Sequence, residues 1–492
     1  MTDAEKAAQI VFPGHKFGID SVEEAELLVE LGVGGFCLYG GRPQEVAEFT
    51  ARLQSKAKRP LLMSGDYEDG VAQQCPGATS LPSNMGIGAS GSEQLAEEKG
   101  RITAIEARAL GVPWVLAPVC DLATAPANPI VNTRAFGDNP ALVARLGAAY
   151  LRGLRAEGAI GCLKHFPGHG DTTADSHLEL PSVDADRATL DARELAPFQA
   201  LASTSESVMT AHLKVPALVP EGIPYSISAD PNKTLRGTLG FQGLISTDAL
   251  AMQAIAANFD ELEASRMALL GGADILLVPT DARGLVRRLG PAVEDSPELV
   301  AIVRAAYERL EAARAKVRSG PRPPLELVGG AKHRETAERM AESCLAWAGA
   351  PVKLPANIRY WEPESDPDEW FGATFIDMLR EFGLKVEPWT PGEPPPAGER
   401  LVVGTFLNPR AYTGRIAYDE DERAEIRGRL RAVPNALVVS FGSPFVFDDL
   451  ETPGLCAFGK NEASQRVAAL ALTGKIEVHG RMPVRLKIAA RA

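Results

Sequence analysis

The hydrophobic pattern of the chain repeats between residues 9 and 278. A short apolar run rich in Val, Ile and Leu is followed by polar residues and then by an amphipathic stretch of Ala, Leu, Glu and Arg. Successive runs begin roughly 25 to 50 residues apart, a spacing that suits a strand, a helix and their loops. The eight runs cover residues 9–13, 34–39, 60–64, 114–118, 161–165, 208–212, 243–248 and 274–278. Eight strand–helix units predict an α/β protein containing a (β/α)8 TIM-type barrel.

Polar residues mark the C-terminal ends of several of these runs. One or two of them are explained equally well as ordinary polar residues that begin a loop. A barrel of this type builds its active site at the C-terminal ends of its strands, so six such residues predict a site at that rim. The six are Asp66, Asp121, Lys164, His165, His212 and Asp248.

The pattern changes after residue 318. The stretch Ser319-Gly-Pro-Arg-Pro-Pro324 breaks any helix and indicates a linker. We therefore expect a catalytic TIM-barrel domain over residues 1–318 and a Pro-rich linker over residues 319–330. A smaller C-terminal α/β sandwich domain is expected over residues 331–492.

The expected C-terminal domain begins with a helix-like segment, Arg334 to Trp347. Apolar runs then alternate with amphipathic stretches, which predicts alternating strands and helices. The runs cover residues 358–361, 401–404 and 436–440. The Pro-rich piece from Pro388 to Pro396 is predicted to be a surface loop.

Composition narrows the class of partner. The 492 residues include 51 Lys and Arg against 64 Asp and Glu, for a net charge of −13. This charge disfavours a nucleic-acid backbone or an anionic membrane surface as partner, and a small neutral substrate fits better. No apolar run approaches the length of a membrane span, and the first residues lack the basic and apolar regions of a secretory signal. The six cysteines form no Cys-x-x-Cys pair, so we expect buried, reduced thiols in a cytoplasmic protein. We separately expect the protein to be a monomer or homodimer.

The stretch from Lys164 to His177 holds most of the candidate chemistry. It reads Lys-His-Phe-Pro-Gly-His-Gly-Asp-Thr-Thr-Ala-Asp-Ser-His and contains three of the seven histidines. Its proline and glycines exclude a regular helix, and Gly168 and Gly170 permit tight turns. The segment is therefore predicted to fold back over its strand and to direct several polar groups at one point.

Three interpretations of this stretch compete. The histidines and aspartates, together with His212, have the side chains of metal ligands, in which case His165, His169, Asp171, Asp175 and His177 would hold an ion. The first strand, however, carries only His15 and lacks the His-x-His pair of metal-dependent barrel hydrolases. A structural interpretation, in which loop histidines only satisfy hydrogen bonds, suits His169 and His212.

The third interpretation is acid/base catalysis. Asp175 can accept the Nδ1 proton of His177 and leave Nε2 to give or take a proton near neutral pH. Cleavage of a glycosidic bond also needs a carboxylate on the opposite face of the sugar, and Asp248, in Ser246-Thr-Asp-Ala-Leu-Ala-Met252, is placed for that role. The alternative for Asp248 is the N-cap of a helix that follows the strand.

These motifs resemble those of glycoside hydrolase family 3, in its bacterial β-N-acetylglucosaminidase branch. The stretch from Lys164 to His177 matches the signature of that branch, and residues 246–252 resemble its nucleophile segment. The ending Gly474-Lys-Ile-Glu-Val-His-Gly-Arg-Met-Pro-Val484 resembles the closing motif of the two-domain members. In such members the second domain sometimes lends residues to the site, for which Asn461 and Glu462 are the possible candidates.

The resemblance implies a role for each site residue. It makes Asp248 the nucleophile and His177, paired with Asp175, the acid/base. Lys164, His165 and Arg134 resemble residues that bind sugar hydroxyls, and Asp66 resembles the aspartate that holds the outer hydroxyls. The segment Asp66-Tyr-Glu-Asp-Gly-Val71 departs from the family's Asp-Gln-Glu-Gly-Gly-Arg, which puts the sugar contacts there in question.

The resulting expectation is a retaining hydrolase that releases terminal β-linked N-acetylglucosamine without a metal or organic cofactor. The alternatives are a β-glucosidase or xylosidase, a phosphorylase of the same family, and a sugar-binding sensor without catalysis. The resemblance also suggests peptidoglycan recycling as the pathway.

Overall fold

The computed structural model describes most of the chain. The described residues are 1–172, 180–220, 222–317, 320–365, 370–392, 395, 397–408, 416–433 and 435–488. Residues 1–317 are called the N-terminal part below, and residues 320–488 the C-terminal part.

The N-terminal part contains nine short strands among its described residues. They are β1 (Val11–Phe12), β2 (Gly14–Lys16), β3 (Cys37–Tyr39), β4 (Ser64–Gly65), β5 (Trp114–Val115), β6 (Cys162–Phe166), β7 (Ser207–Thr210), β8 (Leu244–Thr247) and β9 (Leu276–Leu277). Each of the eight predicted apolar runs contains or overlaps one of these strands, with Pro13 separating β1 from β2. All described pairs between them are parallel, as expected when each strand is followed by a helix.

The pairing order of these strands follows the chain. One set pairs in the order β2-β3-β4-β5, a second in the order β6-β7-β8, and β1 pairs with β9. Single bridges join Trp114 to Ile160 and Ser246 to Ile275, so contacts also connect the β5 region with the β6 region and β8 with the start of β9. Because parallel strands place all their C-terminal ends at the same edge, the residues that follow them meet there.

A six-stranded sheet forms the centre of the C-terminal part. Its strands are β10 (Ala346–Ala348), β11 (Asn357–Trp361), β12 (Lys385–Pro388), β13 (Arg400–Thr405), β14 (Leu437–Ser440) and β15 (Gly454–Cys456). They pair in the order β10-β15-β14-β13-β11-β12, and only β10 is antiparallel to its neighbour.

Helices surround both groups of strands. In the N-terminal part they are α1 (Asp3–Gln9), α2 (Val22–Leu31), α3 (Pro43–Lys56), α4 (Asn84–Ser90), α5 (Glu93–Ala109), α6 (Pro140–Ala156), α7 (Arg187–Ala192), α8 (Ala196–Leu201), α9 (Gln253–Ala256), α10 (Glu261–Leu270), α11 (Ala282–Glu294) and α12 (Pro297–Lys316). In the C-terminal part they are α13 (Ala331–Cys344), α14 (Ala373–Glu381), α15 (Glu420–Arg431), α16 (Val446–Leu450) and α17 (Glu462–Leu472). None of these helices is long and apolar enough to cross a membrane, among the residues that are described.

Helices α5 and α6 pack closely because each carries a glycine at their contact. Asn139 caps the start of α6 by accepting hydrogen bonds from the backbone of Ala141 and Leu142. A Cβ at Gly100 would lie 2.3 Å from the carbonyl oxygen of Tyr150, and one at Gly153 would lie 2.0 Å from that of Glu97. Any larger residue at either position would therefore force the helices apart.

The end of the chain returns to the N-terminal part. The backbone N–H of Arg481 donates to the Ala89 carbonyl at 2.9 Å, and the N–H of Asp138 donates to the Pro483 carbonyl at 3.1 Å. The Asp138 carboxylate in turn accepts the backbone N–H of Arg485 at 2.9 Å. The predicted closing motif therefore joins the two parts, with its contacts at α4 and at the residues just before α6.

Two predictions for the C-terminal part are wrong in detail. The predicted helix to Trp347 ends at Cys344, because Leu345 adopts an extended conformation and Trp347 pairs with Leu455 in the sheet. Pro388 belongs to β12 rather than to a surface loop. A proline is tolerated there because β12 is an edge strand, on which one backbone N–H has no strand to pair with.

All six cysteines are buried and free, as predicted for small hydrophobic side chains. Their thiol pKa values are raised by burial, as for Cys162, whose pKa is raised to about 12. The thiols are therefore protonated and unreactive near neutral pH.

We expect Trp114→Ala to destabilise the fold strongly. Trp114 is fully buried, packs edge-on against Phe12 and donates its indole N–H to Ser207 at 2.9 Å. Removal of the ring should lower the free energy of unfolding by about 3–5 kcal/mol, measured by denaturant titration. The control is Leu270→Ala, since Leu270 is 40% exposed and its loss should change the value by about 0.5 kcal/mol or less. A Trp114→Ala chain as stable as the control variant would contradict the packing described.

Candidate active site

A cavity of about 380 Å³ opens at the C-terminal ends of the N-terminal strands. It brings together five of the seven predicted site residues, which come from four separate regions of the chain. The five are Asp66, Arg134, Lys164, His165 and Asp248. The other two, Asp175 and His177, lie outside the described residues.

Lys164 lies within β6 and is buried, with its ammonium group between two carboxylates. Its Nζ atom is 2.7 Å from Asp66 Oδ1 and 2.6 Å from Glu68 Oε1. Burial alone would lower the pKa of Lys164, but the charges of Asp66 and Glu68 outweigh it and raise that pKa above its usual range. Lys164 is therefore a fixed cation.

Glu68 connects this lysine to Arg134. The Arg134 guanidinium lies 2.7 Å from Glu68 Oε1, and Arg134 also donates to the Ile130 carbonyl at 3.1 Å. Burial of Glu68 opposes its ionisation, yet Lys164 and Arg134 hold the pKa of its carboxyl well below the usual range. One buried carboxylate thus fixes both cations at the cavity wall.

Sequence reasoning did not assign Glu68 to the site. Glu68 lies in the segment Asp66–Val71, whose departure from the family pattern left the sugar contacts in question. The signal that could have identified it is electrostatic: two cations expected in one pocket, Lys164 and Arg134, need a buried counter-charge. The arginine missing at Val71 is no part of this arrangement, since Val71 is fully buried in the hydrophobic core.

His165 is oriented by Asp121, which lies beneath the cavity rather than in its wall. The Asp121 carboxylate is 2.6 Å from Nδ1 of His165 and accepts the backbone N–H of His169 at 2.8 Å. Burial would raise the pKa of Asp121, but His165 and His169 bring it below its usual value, so Asp121 is ionised and accepts the Nδ1 proton. The second ring nitrogen of His165 is then the one that remains for a ligand.

Asp248 follows β8 directly and is half-buried in the cavity wall. Its backbone N–H donates to the Thr210 carbonyl at 3.0 Å, and its Oδ1 accepts the N–H of Ala249 at 2.8 Å. The N-cap alternative is wrong, because the next helix, α9, begins at Gln253 and has Met252 at its N-cap position.

Two other predicted rim residues have structural roles. Asp121 is the buried partner of His165, as described above. His212 is also buried and is 2.5 Å from Ser226 Oγ and 3.0 Å from the Ala249 carbonyl. The structural interpretation of His212 is therefore confirmed, and this contact holds the backbone next to Asp248.

His169 both makes a structural hydrogen bond and lines the cavity. Its Nδ1 is 2.9 Å from Thr172 Oγ1, as the structural interpretation predicts, but its ring also lines the cavity. Burial lowers the pKa of His169 to about 4, so the ring is neutral near pH 7.

Within the described residues, no group of three or more His, Cys, Asp and Glu side chains could hold a metal ion.

Glycines allow the loop after β6 to lie against its neighbours. Gly168 has a φ of +125°, which side chains rarely permit. At Gly170 the constraint is close approach instead, since a Cβ there would lie 2.0 Å from the Leu122 carbonyl oxygen. Asn128 donates to the carbonyls of His169 and Gly170 at 2.8 and 3.1 Å, which fixes the loop where it leaves the cavity.

The charges of the cavity are balanced. Three carboxylates (Asp66, Glu68 and Asp248) face three cations (Lys16, Arg134 and Lys164), and Met209, Met252 and Leu277 form an apolar wall. Polar groups that make charge-assisted hydrogen bonds, beside an apolar surface and without net charge, fit a neutral polyol better than a charged ligand.

The C-terminal part borders the mouth of this cavity. A second space of about 650 Å³ shares Gln73 and Arg134 with the first and is lined on its other side by Phe371, Phe406 and Lys460. Asn461, a candidate from the sequence, lines this space and also caps α17, whereas Glu462 lies on the exposed surface of α17.

Comparison with known proteins identifies relatives of both parts. Residues 2–313 match the family model described as Glycosyl hydrolase family 3 N terminal domain. Beta-hexosaminidase A of Pseudoalteromonas piscicida is 35% identical over 290 residues, which cover 53% of this chain and 48% of that protein. The chain thus aligns with about half the length of this relative.

Two further relatives cover nearly the whole chain. The Beta-N-acetylglucosaminidase/beta-glucosidase of Cellulomonas fimi is 28% identical over 92% of this chain and 88% of its own. The solved structure of a glycoside hydrolase family 3 beta-N-acetylglucosaminidase from Paenibacillus sp. str. FPU-7 is 30% identical, covers 99% of both chains and has a TM-score of 0.84.

We expect the replacement Glu68→Gln to remove an acid-sensitive part of the stability. The pKa of the Glu68 carboxyl is lower in the folded chain than its ordinary value of 4.5. As the pH falls, the unfolded chain therefore takes up a proton at this residue before the folded chain does. The stabilisation that ionised Glu68 provides is present above about pH 4.5 and is lost as the pH falls towards the folded pKa. The free energy of unfolding should therefore differ most between wild type and variant near neutral pH, and the difference should shrink below pH 4.5. A difference that is independent of pH would contradict the ionised Glu68 described here.

Proposed function

Because the chain belongs to glycosyl hydrolase family 3, we propose that it is a retaining glycoside hydrolase that releases terminal β-linked N-acetylglucosamine. The family predicted from the motifs at Lys164–His177 and residues 246–252 is confirmed, and with it the expectation of an enzyme. The choice of sugar rests on the three relatives above, whose names all include a hexosaminidase or N-acetylglucosaminidase, although that from Cellulomonas fimi is also named as a beta-glucosidase.

The observation that carries the proposal is the position of Asp248. It faces the same cavity as Lys164, His165, Arg134 and Asp66, which come from other parts of the chain. A carboxylate there can attack the anomeric carbon of a sugar whose hydroxyl groups are held by the other four residues. In the proposed first step the glycosidic C–O bond breaks, an Asp248–sugar ester forms, and the leaving oxygen takes a proton.

The proposed proton donor is His177, paired with Asp175. In the second step the imidazole takes a proton from water, and the hydroxyl attacks the anomeric carbon and releases Asp248. Two displacements return the sugar with its original β configuration. These two roles rest on the motif resemblance, since both residues lie outside the described part of the chain.

The described residues supply binding and charge in this proposal. Lys164 and Arg134 donate to sugar hydroxyls, and Asp66 accepts from them. The negative charge of Asp248 stabilises the positive charge that develops on the sugar ring as the bond breaks. The balanced charge of the cavity suits a neutral sugar, and Glu68 holds both cations so that neither has to move during the reaction.

We further propose that the nine N-terminal strands close into a (β/α)8 barrel, with the C-terminal sheet as a second domain. β1 and β2 are consecutive and pair with β9 and β3, respectively. The bridges from Trp114 to Ile160 and from Ser246 to Ile275 then continue the ring between the other sets. The domain bounds of 1–318, 319–330 and 331–492 stay predictions.

We expect Asp248→Asn to abolish hydrolysis of a chromogenic aryl β-N-acetylglucosaminide. Loss of the nucleophile should lower kcat on the order of 10⁴-fold, because the covalent route is closed. The control is Asp191→Asn, since the Asp191 side chain is 43% exposed, pairs with Arg187 and does not line the cavity. A turnover of Asp248→Asn close to that of this control would remove Asp248 from the mechanism.

Azide should rescue the smaller variant Asp248→Ala. The small anion can enter the space left by the carboxylate and attack the anomeric carbon from that side. The expected product is the α-glycosyl azide, identified by nuclear magnetic resonance. Formation of the β-azide would instead place the nucleophile on the other face of the sugar.

Addition of inorganic phosphate should not change the product. In the proposed mechanism water opens the Asp248 ester, so free N-acetylglucosamine should form at the same rate with and without phosphate. Accumulation of sugar 1-phosphate, detected by chromatography, would favour the phosphorylase alternative. A chain that binds N-acetylglucosamine but cleaves no aryl glycoside would favour the sensor.

A further inference from the structure

The C-terminal sheet contains a point at which its strand order reverses. After β11 the chain adds β12 on one side, and then returns to place β13 on the other side of β11. In open parallel sheets with helices on their faces, ligands bind in the crevice outside the carboxyl ends of the two strands at such a point. Here those strands are β11 and β13, which end at Trp361 and Thr405.

A cavity of about 620 Å³ lies at that position. Trp361 and Glu364 enter it from the end of β11, Phe406 and Asn408 from the end of β13, and Tyr418 and Arg429 from the region of α15. Its volume falls in the range of small-molecule sites. It is a different space from the active-site cavity, with which it shares no lining residue.

Glu364 gives this cavity a carboxyl group that makes a hydrogen bond through only one of its two oxygens. Its Oε1 accepts the Tyr418 hydroxyl, whereas Oε2 is buried and has no hydrogen-bond partner among the described residues. Burial raises the pKa of the Glu364 carboxyl to about 7, against the Tyr418 hydroxyl and the nearby backbone groups of Glu364 and Phe406, which lower it. A buried carboxyl oxygen without a partner is costly, and a rotation of the Glu364 side chain towards the cavity would let a ligand hydroxyl satisfy it.

The start of α14 shows which ligands do not fit. At a switch point, a phosphate group commonly binds the backbone N–H groups at a helix N-terminus. Here the carboxylate of Glu362 already accepts the N–H groups of Phe371 and Gly372, each at 2.8 Å, and the Tyr360 hydroxyl at 2.6 Å. The anion position is therefore filled by the protein itself.

The other walls combine aromatic faces with hydrogen-bonding groups. The Arg429 guanidinium lies 5.4 Å above the Trp361 ring, and Phe371, which is 53% exposed, stands at the edge beside Phe406. Glu422 and Glu425 already match the cations Arg429 and Lys460, so the cavity has no excess of positive charge that would favour an anion. The exposed ring of Phe371, which can cover C–H groups, lies next to carboxyl and amide groups that bond hydroxyls, and this combination suits a sugar.

We propose that this cavity, at the carboxyl ends of β11 and β13, binds a neutral saccharide separately from the active site. The occupant is a free sugar or the far end of a longer saccharide chain. The space of about 650 Å³ at the mouth of the active site shares Phe371, Phe406 and Lys460 with this cavity. This connection is compatible with a longer saccharide that occupies both sites.

The test counts binding sites with sugars that the chain cannot hydrolyse. Equilibrium dialysis of the full chain with radiolabelled N-acetylglucosamine and, separately, with glucose gives the number of sites per chain. Ala417→Trp fills the cavity, since Ala417 lines it and lines none of the other spaces described. The control is Ala312→Trp, which adds the same ring on the exposed side of α12.

We expect Ala417→Trp to remove one site per chain for at least one of these sugars, while the control keeps it. Turnover of an aryl N-acetylglucosaminide should stay unchanged in both variants, which shows that the chain is folded. Because the result is a difference of one site, it holds even if the active site binds no N-acetylglucosamine and the proposed function fails. The N-acetylglucosamine tetramer of chitin, measured with the Asp248→Asn protein, separates the two sources. A tetramer that spans both sites should bind once per protein chain, and Ala417→Trp should lower its affinity.

Glu364→Gln tests the polar group without changing its shape. It should weaken sugar binding at this site about tenfold, because one carboxyl–hydroxyl hydrogen bond is altered. The proposal is overturned if Ala417→Trp leaves the number of sites and the affinity unchanged for N-acetylglucosamine, glucose and the tetramer. Displacement of the bound sugar by inorganic phosphate would overturn the neutral character of the ligand.

Discussion

The buried carboxylate of Glu68 holds the candidate active site together. It contacts the ammonium group of Lys164 and the guanidinium group of Arg134, which come from segments far apart in sequence. Removal of such a carboxylate leaves two cations in a poorly solvated place, a change that costs about 3–5 kcal/mol for buried pairs. The arrangement fixes the donors of the cavity before any ligand arrives, so that little reorganisation is needed on binding.

A second set of contacts fixes the reacting side of the cavity. The carboxylate of Asp121 orients His165, and His212 holds the carbonyl of Ala249 next to Asp248. Neither Asp121 nor His212 lines the cavity, yet each positions a residue that does. The four carboxylates thus form two pairs. Glu68 and Asp121 are buried and act on other side chains, while the half-buried Asp66 and Asp248 face the space where a sugar would lie.

The sequence predicted the structural elements that depend on the pattern of neighbouring residues. The eight apolar runs correspond to strands because each buried parallel strand needs several consecutive apolar residues, and the polar residues after them follow from chain direction alone. Glu68 was not assigned because its role depends on Lys164 and Arg134, whose approach is a property of the folded chain. Strands β10, β12 and β15 were missed because each is only three or four residues long and has few β-branched residues. Trp347 was assigned to a helix because its neighbours continue a helical pattern, whereas pairing with Leu455 decides its conformation.

The central claim is that Asp248 forms the covalent bond to the sugar. Its most direct test is mass spectrometry of the chain after reaction with a fluorinated N-acetylglucosaminyl fluoride that forms the ester but hydrolyses slowly. The account predicts one added fluorosugar per chain, located on the peptide that contains Asp248. A label on any other residue, or an unlabelled chain that still releases product with inverted configuration, would contradict it.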